Sequence, residues 1–143
     1  MEWCSMLKFY YNANTPSKRK ALKWLDDNEI QYETRNINFK PLDEEEITHI
    51  MHLSEEGTDQ IISKRSKIMQ NLHVALSKLS FNGVVKLIKE NQGILKSPIL
   101  MENDKLMSGF DSEQARMFIP PKKRRLEMRN LLSLLIKNDP LLN

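Results

Sequence analysis

Apolar and polar residues in the first part of the chain alternate in a way that predicts a strand, a helix and a second strand. The run Leu7–Tyr11 is rich in residues that favour β-structure. Thr15 is a good helix N-cap, and Pro16 suits the first helical position, where its missing N–H costs nothing. Three apolar residues then recur on one helical face: Ala21, Leu22 and Leu25. Residues 31–37 alternate as a second strand, and the short connection predicts a parallel pair with a right-handed crossover.

The middle of the chain predicts only helices. Asp43 and Glu46 have capping-box spacing, and the helix that they open is expected to run to about Glu56. Gly57 fits a helix stop with positive φ, and residues 58–62 restart a short helix.

The clearest helical periodicity covers Ser66–Leu79, and the break is expected at Asn82–Gly83. A further helix ends near residues 91–93 and has apolar positions at Val84, Leu87 and Ile88. We therefore expect an all-helical insert over residues 40–96.

The C-terminal part predicts a strand, its hairpin partner and two helices, at 97–101, 105–110, 112–117 and 126–137 in that order. Asp111 caps the first of these helices, and Pro120–Pro121 ends it. The predicted fold is α/β, with a mixed four-stranded sheet in a core formed by residues 6–39 and 97–143.

Composition favours one globular domain of the cytoplasm. The chain has 143 residues, of which 40% are apolar and 29% are charged. No apolar run approaches the roughly 20 residues that a membrane-spanning helix needs. The first residues do not combine a basic segment with an apolar one, so no signal peptide and no membrane partner are expected.

Charge is unevenly distributed along the chain, although the net charge is only +3. Every charged residue between positions 41 and 60 is acidic, whereas those between 61 and 97 are basic except Glu90. A second basic block follows at Lys122–Arg125. This pattern suits a protein that contacts a protein partner and a polyanion together, and solvated helix faces are the alternative. For the second block, a nucleic-acid patch and a solvated turn are equally open.

Candidate metal and thiol chemistry is sparse. Cys4 is the single cysteine, so neither an intrachain disulfide nor a cysteine metal cluster can form. It is either a spare thiol or a reactive one. His49 and His52 lie three residues apart on a predicted helix, where a solvated face is favoured over a metal site. We expect no metal and no cofactor.

Four stretches resemble the Spx family, whose members share an ArsC-like, thioredoxin-like fold: Arg19–Leu25, residues 32–37, residues 56–67 and residues 93–100. The third is the most specific, because a glycine followed by this polar and basic pattern is not typical of a generic helix. The resemblance covers about Leu7 to Leu126. It implies the order β-α-β, helical insert, β-β-α.

The resemblance also implies a function. Spx proteins bind the C-terminal domain of the RNA polymerase α subunit and redirect transcription towards stress genes, and they bind DNA poorly alone. Gly57 matches a glycine that contacts the α subunit, and Arg65 matches an arginine that supports the redox-active helix. Lys67, with Lys64 close by, matches a promoter contact made within the polymerase complex. Spx proteins form one-to-one complexes with the α subunit and are degraded by an ATP-dependent protease whose adaptor reads the C-terminus. We therefore expect a monomer and consider residues 134–143 as such a tail.

Two departures argue against enzymatic activity. Thr15 and Lys18 occupy the positions of the family's Cys-x-x-Cys pair, so a thiol switch is not expected. The Arg-Pro-Ile of arsenate reductases reads Ser97-Pro98-Ile99 here, and the resemblance predicts a cis bond before Pro98. The alternatives are a thiol-independent or Cys4-dependent reductase relative and an antagonist of a redox-active paralogue. The helix terminus at Thr15 either binds an anion or is capped and empty.

Overall fold

The sheet and its helices are built from ten elements. The computed structural model describes residues 6–55, 57–73 and 75–137. The strands are β1 (Leu7–Tyr11), β2 (Tyr32–Asn36), β3 (Ile99–Glu102) and β4 (Lys105–Ser108). The helices are α1 (Pro16–Asp27), α2 (Glu44–Leu53), α3 (Thr58–Ile61), α4 (Lys67–Leu72), α5 (Phe81–Glu90) and α6 (Pro121–Lys137). Single 3₁₀ turns cover Leu76–Lys78, Gln92–Ile94 and Gln114–Phe118.

The four strands form one mixed sheet in the order β2-β1-β3-β4. β1 is parallel to β2 and antiparallel to β3, and β3 is antiparallel to β4. The predicted mixed four-stranded sheet is therefore confirmed. Because β1 and β2 run parallel and β3 runs against them, the end of β1 and the start of β3 lie at the same edge.

The central strand β1 is buried on both faces except at Lys8. Leu7 and Phe9 pack with α1, through Ala21 and Leu25. Tyr10 points to the other face and packs with residues of α2 and α5. Lys8 is exposed and interrupts the apolar run, so the face that carries Tyr10 is only partly covered.

The helical middle segment packs onto the sheet in one shared cluster. Ile47 and Ile50 of α2 and Ile88 of α5 lie against sheet residues such as Ile99 and Met101. The capping box of α2 is present, with the Glu46 N–H 2.8 Å from Asp43 Oδ1 and the Asp43 N–H 3.1 Å from Glu46 Oε1. Division into a core and a helical insert stays a prediction.

The helix predicted over Ser66–Leu79 is wrong as a continuous element. α4 ends at Leu72, and His73 adopts a left-handed conformation with φ of 49°. Met69 is buried, whereas Ile68 is 43% exposed. The Ser80 hydroxyl then caps α5 by accepting from Gly83 N–H at 3.1 Å. Asn82–Gly83 therefore lies in the first turn of a helix, where the sequence predicted a break.

Three helix boundaries also differ from the prediction. α2 ends at Leu53, so Gly57 is not its stop, and Glu56 lies outside the described residues. Residues 114–118 form a 3₁₀ turn, although the Asp111 carboxylate accepts from the Glu113 N–H as a cap does. α6 begins at Pro121, because proline suits the first turn of a helix.

Lys122–Arg125 thus form the start of α6 and not a turn between helices. No residue of α6 is buried. None of the described helices is long and apolar enough to cross a membrane. Cys4 lies outside the described residues.

Candidate partner-binding edge

The two positions of the family's Cys-x-x-Cys pair lie after β1, Thr15 in the loop and Lys18 in the first turn of α1. The side chains of both residues make contacts within the protein. Thr15 Oγ1 accepts a hydrogen bond from the Lys18 N–H at 3.2 Å, so it caps α1. The Lys18 ammonium lies 3.9 Å from the centre of the Tyr11 ring. Arg19 donates to the Asn14 carbonyl at 3.3 Å. The start of α1 therefore has a side-chain cap, and anion binding at this terminus stays an open alternative.

Asn12 ties this loop to the segment before β3. Its side-chain amide donates to the Leu95 carbonyl at 2.9 Å, and its N–H donates to Ser97 Oγ at 3.3 Å. Asn38 donates to the Asn12 carbonyl at 2.6 Å. The Ser97–Pro98 bond is cis, as the resemblance predicted. Sequence reasoning did not identify Asn12, because its partners Leu95 and Ser97 are more than 80 residues away.

The residues predicted to contact DNA follow a short bridge to the same segment. Ile62 pairs with Leu95, and the Ser63 N–H donates to the Ile94 carbonyl at 2.7 Å. Lys64, Arg65 and Lys67 come next and are all exposed. Their backbone is thus fixed beside the loop that holds Asn12.

The three cations differ in their partners. Lys64 forms an ion pair with Asp59 at 2.6 Å, and its hydrogen bond and charge lower the pKa of that carboxyl. Arg65 and Lys67 make no ion pair with any of the residues that the structure describes. Within the described ranges, Arg65 thus forms no salt bridge with a carboxylate of the acidic helix α2.

Gly57 lies in the turn between α2 and α3, and it opens α3 as its N-cap. Its φ of 70° and ψ of −145° suit glycine, so the predicted positive φ is confirmed. A Cβ atom at this position would meet nothing within 4 Å. The Ser54 hydroxyl donates to the Gly57 carbonyl at 2.5 Å. The backbone here is held in place but open to the approach of another molecule.

The turn at Gly57 is linked to the same end of the sheet. The Ser108 hydroxyl donates to the Gln60 carbonyl, and the Gly109 N–H donates to the Pro98 carbonyl at 2.7 Å. We call the resulting surface the loop edge, formed by residues 12–15, 38–40, 57–67 and 94–98. Six predicted site residues fall within these ranges: Thr15, Gly57, Lys64, Arg65, Lys67 and the buried Pro98. Lys18 follows in the first turn of α1.

A half-buried network around Arg35 holds the chain that follows β2, next to the loop edge. Arg35 forms an ion pair with Glu46 at 2.5 Å and donates to the Lys40 carbonyl at 2.8 Å and to the Pro41 carbonyl. Burial, with the Glu46 charge as a smaller cause, raises the pKa of Tyr10 to about 12, so its phenol stays neutral at physiological pH. The network therefore fixes the chain that leaves β2.

Gln92 fixes the backbone just before α2, at Leu42. It is 8% exposed. Its side chain donates to the Leu42 carbonyl at 2.7 Å and accepts from the Leu42 N–H at 2.8 Å. The sequence did not reveal the structural roles of Arg35 and Gln92, because neither residue lies in a recognisable local motif.

The predicted histidine pair lies apart from the loop edge. His49 and His52 are both exposed on α2. The His52 ring lies 5.3 Å from the Phe81 ring. Within the described ranges, no group of three potential metal ligands is arranged around a common point.

Comparison with known proteins identifies the family. Residues 10–118 match the ArsC family. The chain is 40% identical over 124 residues to the global transcriptional regulator Spx of Enterococcus faecalis, with 87% of this chain and 94% of that protein covered. It is 37% identical to that of Bacillus subtilis, with coverage of 87% and 95%. The chain belongs to the ArsC family and groups with the Spx proteins.

Solved structures show the same fold at lower identity. An ArsC family related protein from Bacteroides fragilis aligns with a TM-score of 0.71 and 21% identity, covering 78% of this chain and 96% of that one. An arsenate reductase from Vibrio cholerae aligns with a TM-score of 0.68 and 18% identity, covering 80% and 98%. The predicted ArsC-like, thioredoxin-like fold is confirmed.

Proposed function

We propose that this protein is a cytoplasmic transcription regulator that binds the C-terminal domain of the RNA polymerase α subunit through the loop edge. The observation that carries the proposal is the geometry of Gly57. It presents an exposed backbone at positive φ with open space around it, at the position that matches the glycine of the Spx contact. Relatives named as global transcriptional regulators support the same role. Arg65 lies exposed on the same surface and is proposed to contribute to the contact.

The proposed regulator works without a thiol switch and without catalysis. The chain has a single cysteine, and Thr15 and Lys18 are held by a helix cap and a ring contact. An arsenate reductase needs a thiolate at this helix terminus. Ser97 accepts a hydrogen bond from Asn12 where a reductase has its arginine. Activity would then follow the amount of protein in the cell.

Calorimetric titration with the isolated C-terminal domain of the α subunit tests the proposal. Saturable one-to-one binding, unchanged by oxidant or reductant, supports a redox-insensitive regulator. Failure of the wild-type chain to bind would overturn the proposed function. The protein would then share the fold of the Spx proteins but not their partner.

Lys67 and Lys64 are proposed to contact promoter DNA, but only within the polymerase complex. Lys67 is the stronger candidate, because Lys64 already pairs with Asp59. Replacing both lysines by glutamine should leave binding to the α subunit unchanged. We expect it to weaken promoter binding by the complex and to flatten the slope of log K against log salt by about two, one unit for each lost phosphate contact.

The matched control for this test is the Lys78→Gln, Lys86→Gln double variant, which removes the same charge from exposed positions away from the loop edge. Promoter affinity measured over a salt series checks the prediction. An unchanged slope in the Lys64/Lys67 variant would contradict DNA contact and favour an antagonist that only occupies the α subunit.

Residues 134–143 are proposed as a recognition tail for an ATP-dependent protease and its adaptor. The described part of this tail exposes Leu134, Leu135 and Ile136 by 55–68% at the end of α6. Such apolar surface on a single helix is a recognised docking feature. Serine at all three positions should lengthen the cellular half-life, and an unchanged half-life would refute the assignment.

A further inference from the structure

Phe39 is exposed to an unusual degree for an aromatic residue. Its side chain is 88% exposed, compared with 42% for Phe81 and at most 68% for the other large apolar side chains that are exposed in the described part. Burying a phenylalanine side chain stabilises a folded protein, and this chain gains almost none of that stabilisation. Packing within the fold therefore does not account for a phenylalanine at this position.

The backbone that carries the ring is held in one conformation. The N–H groups of Phe39 and Lys40 both donate to the Asn36 carbonyl, at 3.1 and 3.0 Å. The Asn38 N–H donates to Asn36 Oδ1 at 3.0 Å, and Arg35 Nε donates to the Lys40 carbonyl at 2.8 Å. None of these bonds uses the phenyl ring, so the loop is ordered by its neighbours and displays the ring outwards.

The ring is part of the loop edge. The side chain of Asn38 donates to the Asn12 carbonyl at 2.6 Å, and that of Asn12 donates to the Leu95 carbonyl at 2.9 Å. Leu95 in turn pairs with Ile62, which begins the segment that carries Lys64 and Arg65. An aromatic side chain on an ordered backbone suits an interface anchor, since the cost of ordering that backbone has already been met within the free protein.

We propose that Phe39 is the apolar anchor of the contact between the loop edge and its protein partner. The ring enters an apolar pocket on the folded surface of that partner, which in the proposed function is the C-terminal domain of the α subunit. This inference rests on the proposed function and names the residue that supplies the largest share of its binding energy. A protein pocket is favoured over DNA, because the phenyl ring carries neither a charge for a phosphate nor a hydrogen-bonding group for a base edge.

The test compares Phe39→Ala with the wild type in calorimetric titration against the same isolated domain. We expect the dissociation constant to rise about 30-fold or more, the loss typical of a hot spot. Urea unfolding should be unchanged, because the ring makes little contact with its own chain. Leu126→Ala is the matched control, since Leu126 is 51% exposed on α6 away from the loop edge, and its affinity should equal that of the wild type.

A second variant tests the role of the rigid loop. Asn38→Ala keeps the ring but removes its tether to Asn12, and we expect a loss of affinity smaller than that of Phe39→Ala. In the double variant, the Asn38 change should add little, because the ring whose position it fixes is gone.

The possible failures are distinguishable. If the wild type binds and Phe39→Ala binds equally well, the anchor assignment is wrong while the proposed function stands. If the wild type does not bind, the proposed function and this partner both fail. A dimer in sedimentation that Phe39→Ala converts to a monomer would assign the ring to a second copy of this chain and overturn the proposal.

Discussion

Replacing Gly57 by arginine is expected to abolish binding to the C-terminal domain of the α subunit, as measured by calorimetric titration. The backbone at Gly57 is exposed, and nothing lies within 4 Å of the point where a Cβ would be. A long charged side chain would occupy the space through which the partner approaches. We expect a loss of more than about 100-fold in affinity, the scale of the strongest interface substitutions.

The Gly57→Ala variant separates this steric effect from backbone strain. Alanine at φ of 70° and ψ of −145° carries the same conformational penalty, on the order of 1–3 kcal/mol, but almost no bulk. Gly109 has a similar φ of 73° and equally open surroundings, so Gly109→Ala reports the cost of strain at another turn. We expect Gly57→Ala to bind far better than Gly57→Arg. Equal loss in both would contradict close backbone approach and assign the effect to the shape of the turn.

Replacing Gln92 by methionine should produce the largest loss of stability among the substitutions considered. The side chain bridges both backbone groups of Leu42, which is itself only 2% exposed. Methionine fills a similar volume but leaves a buried N–H and a buried C=O without partners. Each such group costs about 1–3 kcal/mol, so we expect the free energy of unfolding to fall by about 2–4 kcal/mol.

Urea unfolding monitored by circular dichroism checks this prediction. The control is Gln70→Met, because Gln70 is exposed on α4 and the same change there should fall within about 0.5 kcal/mol of the wild type. A similarly small effect at Gln92 would show that the backbone groups of Leu42 find other partners. It would contradict the view that Gln92 holds the chain before α2 in place.

Local signals in the sequence determined the elements whose ends are capped by nearby residues. Thr15 with Pro16 predicted the start of α1, and Asp43 with Glu46 predicted the start of α2, because each signal needs only residues three or four positions apart. The β-favouring residues of Leu7–Tyr11 predicted β1. The positive φ of Gly57 followed from its residue type, although its place in the fold did not.

Other features depended on contacts that no local pattern contains. Helical periodicity extended across His73, but its left-handed conformation and the hydroxyl cap at Ser80 divide the segment. Pro121 was interpreted as a stop, whereas it opens α6. Propensity and periodicity describe what a segment favours on its own, and tertiary packing decides which of several compatible boundaries is adopted.

The sequence by itself determined the family, the order of the elements and the absence of a Cys-x-x-Cys pair at the start of α1. Only the tertiary structure gathered the separate loops into one surface. Asn12 reaches Leu95 across 83 positions, and Gln92 reaches Leu42 across 50. Each of these bonds depends on the sheet having already brought distant backbone together, so their energy is gained only in the folded chain. The exposure of Phe39 is of the same kind, since a side chain is left in water only by what the rest of the fold does not cover.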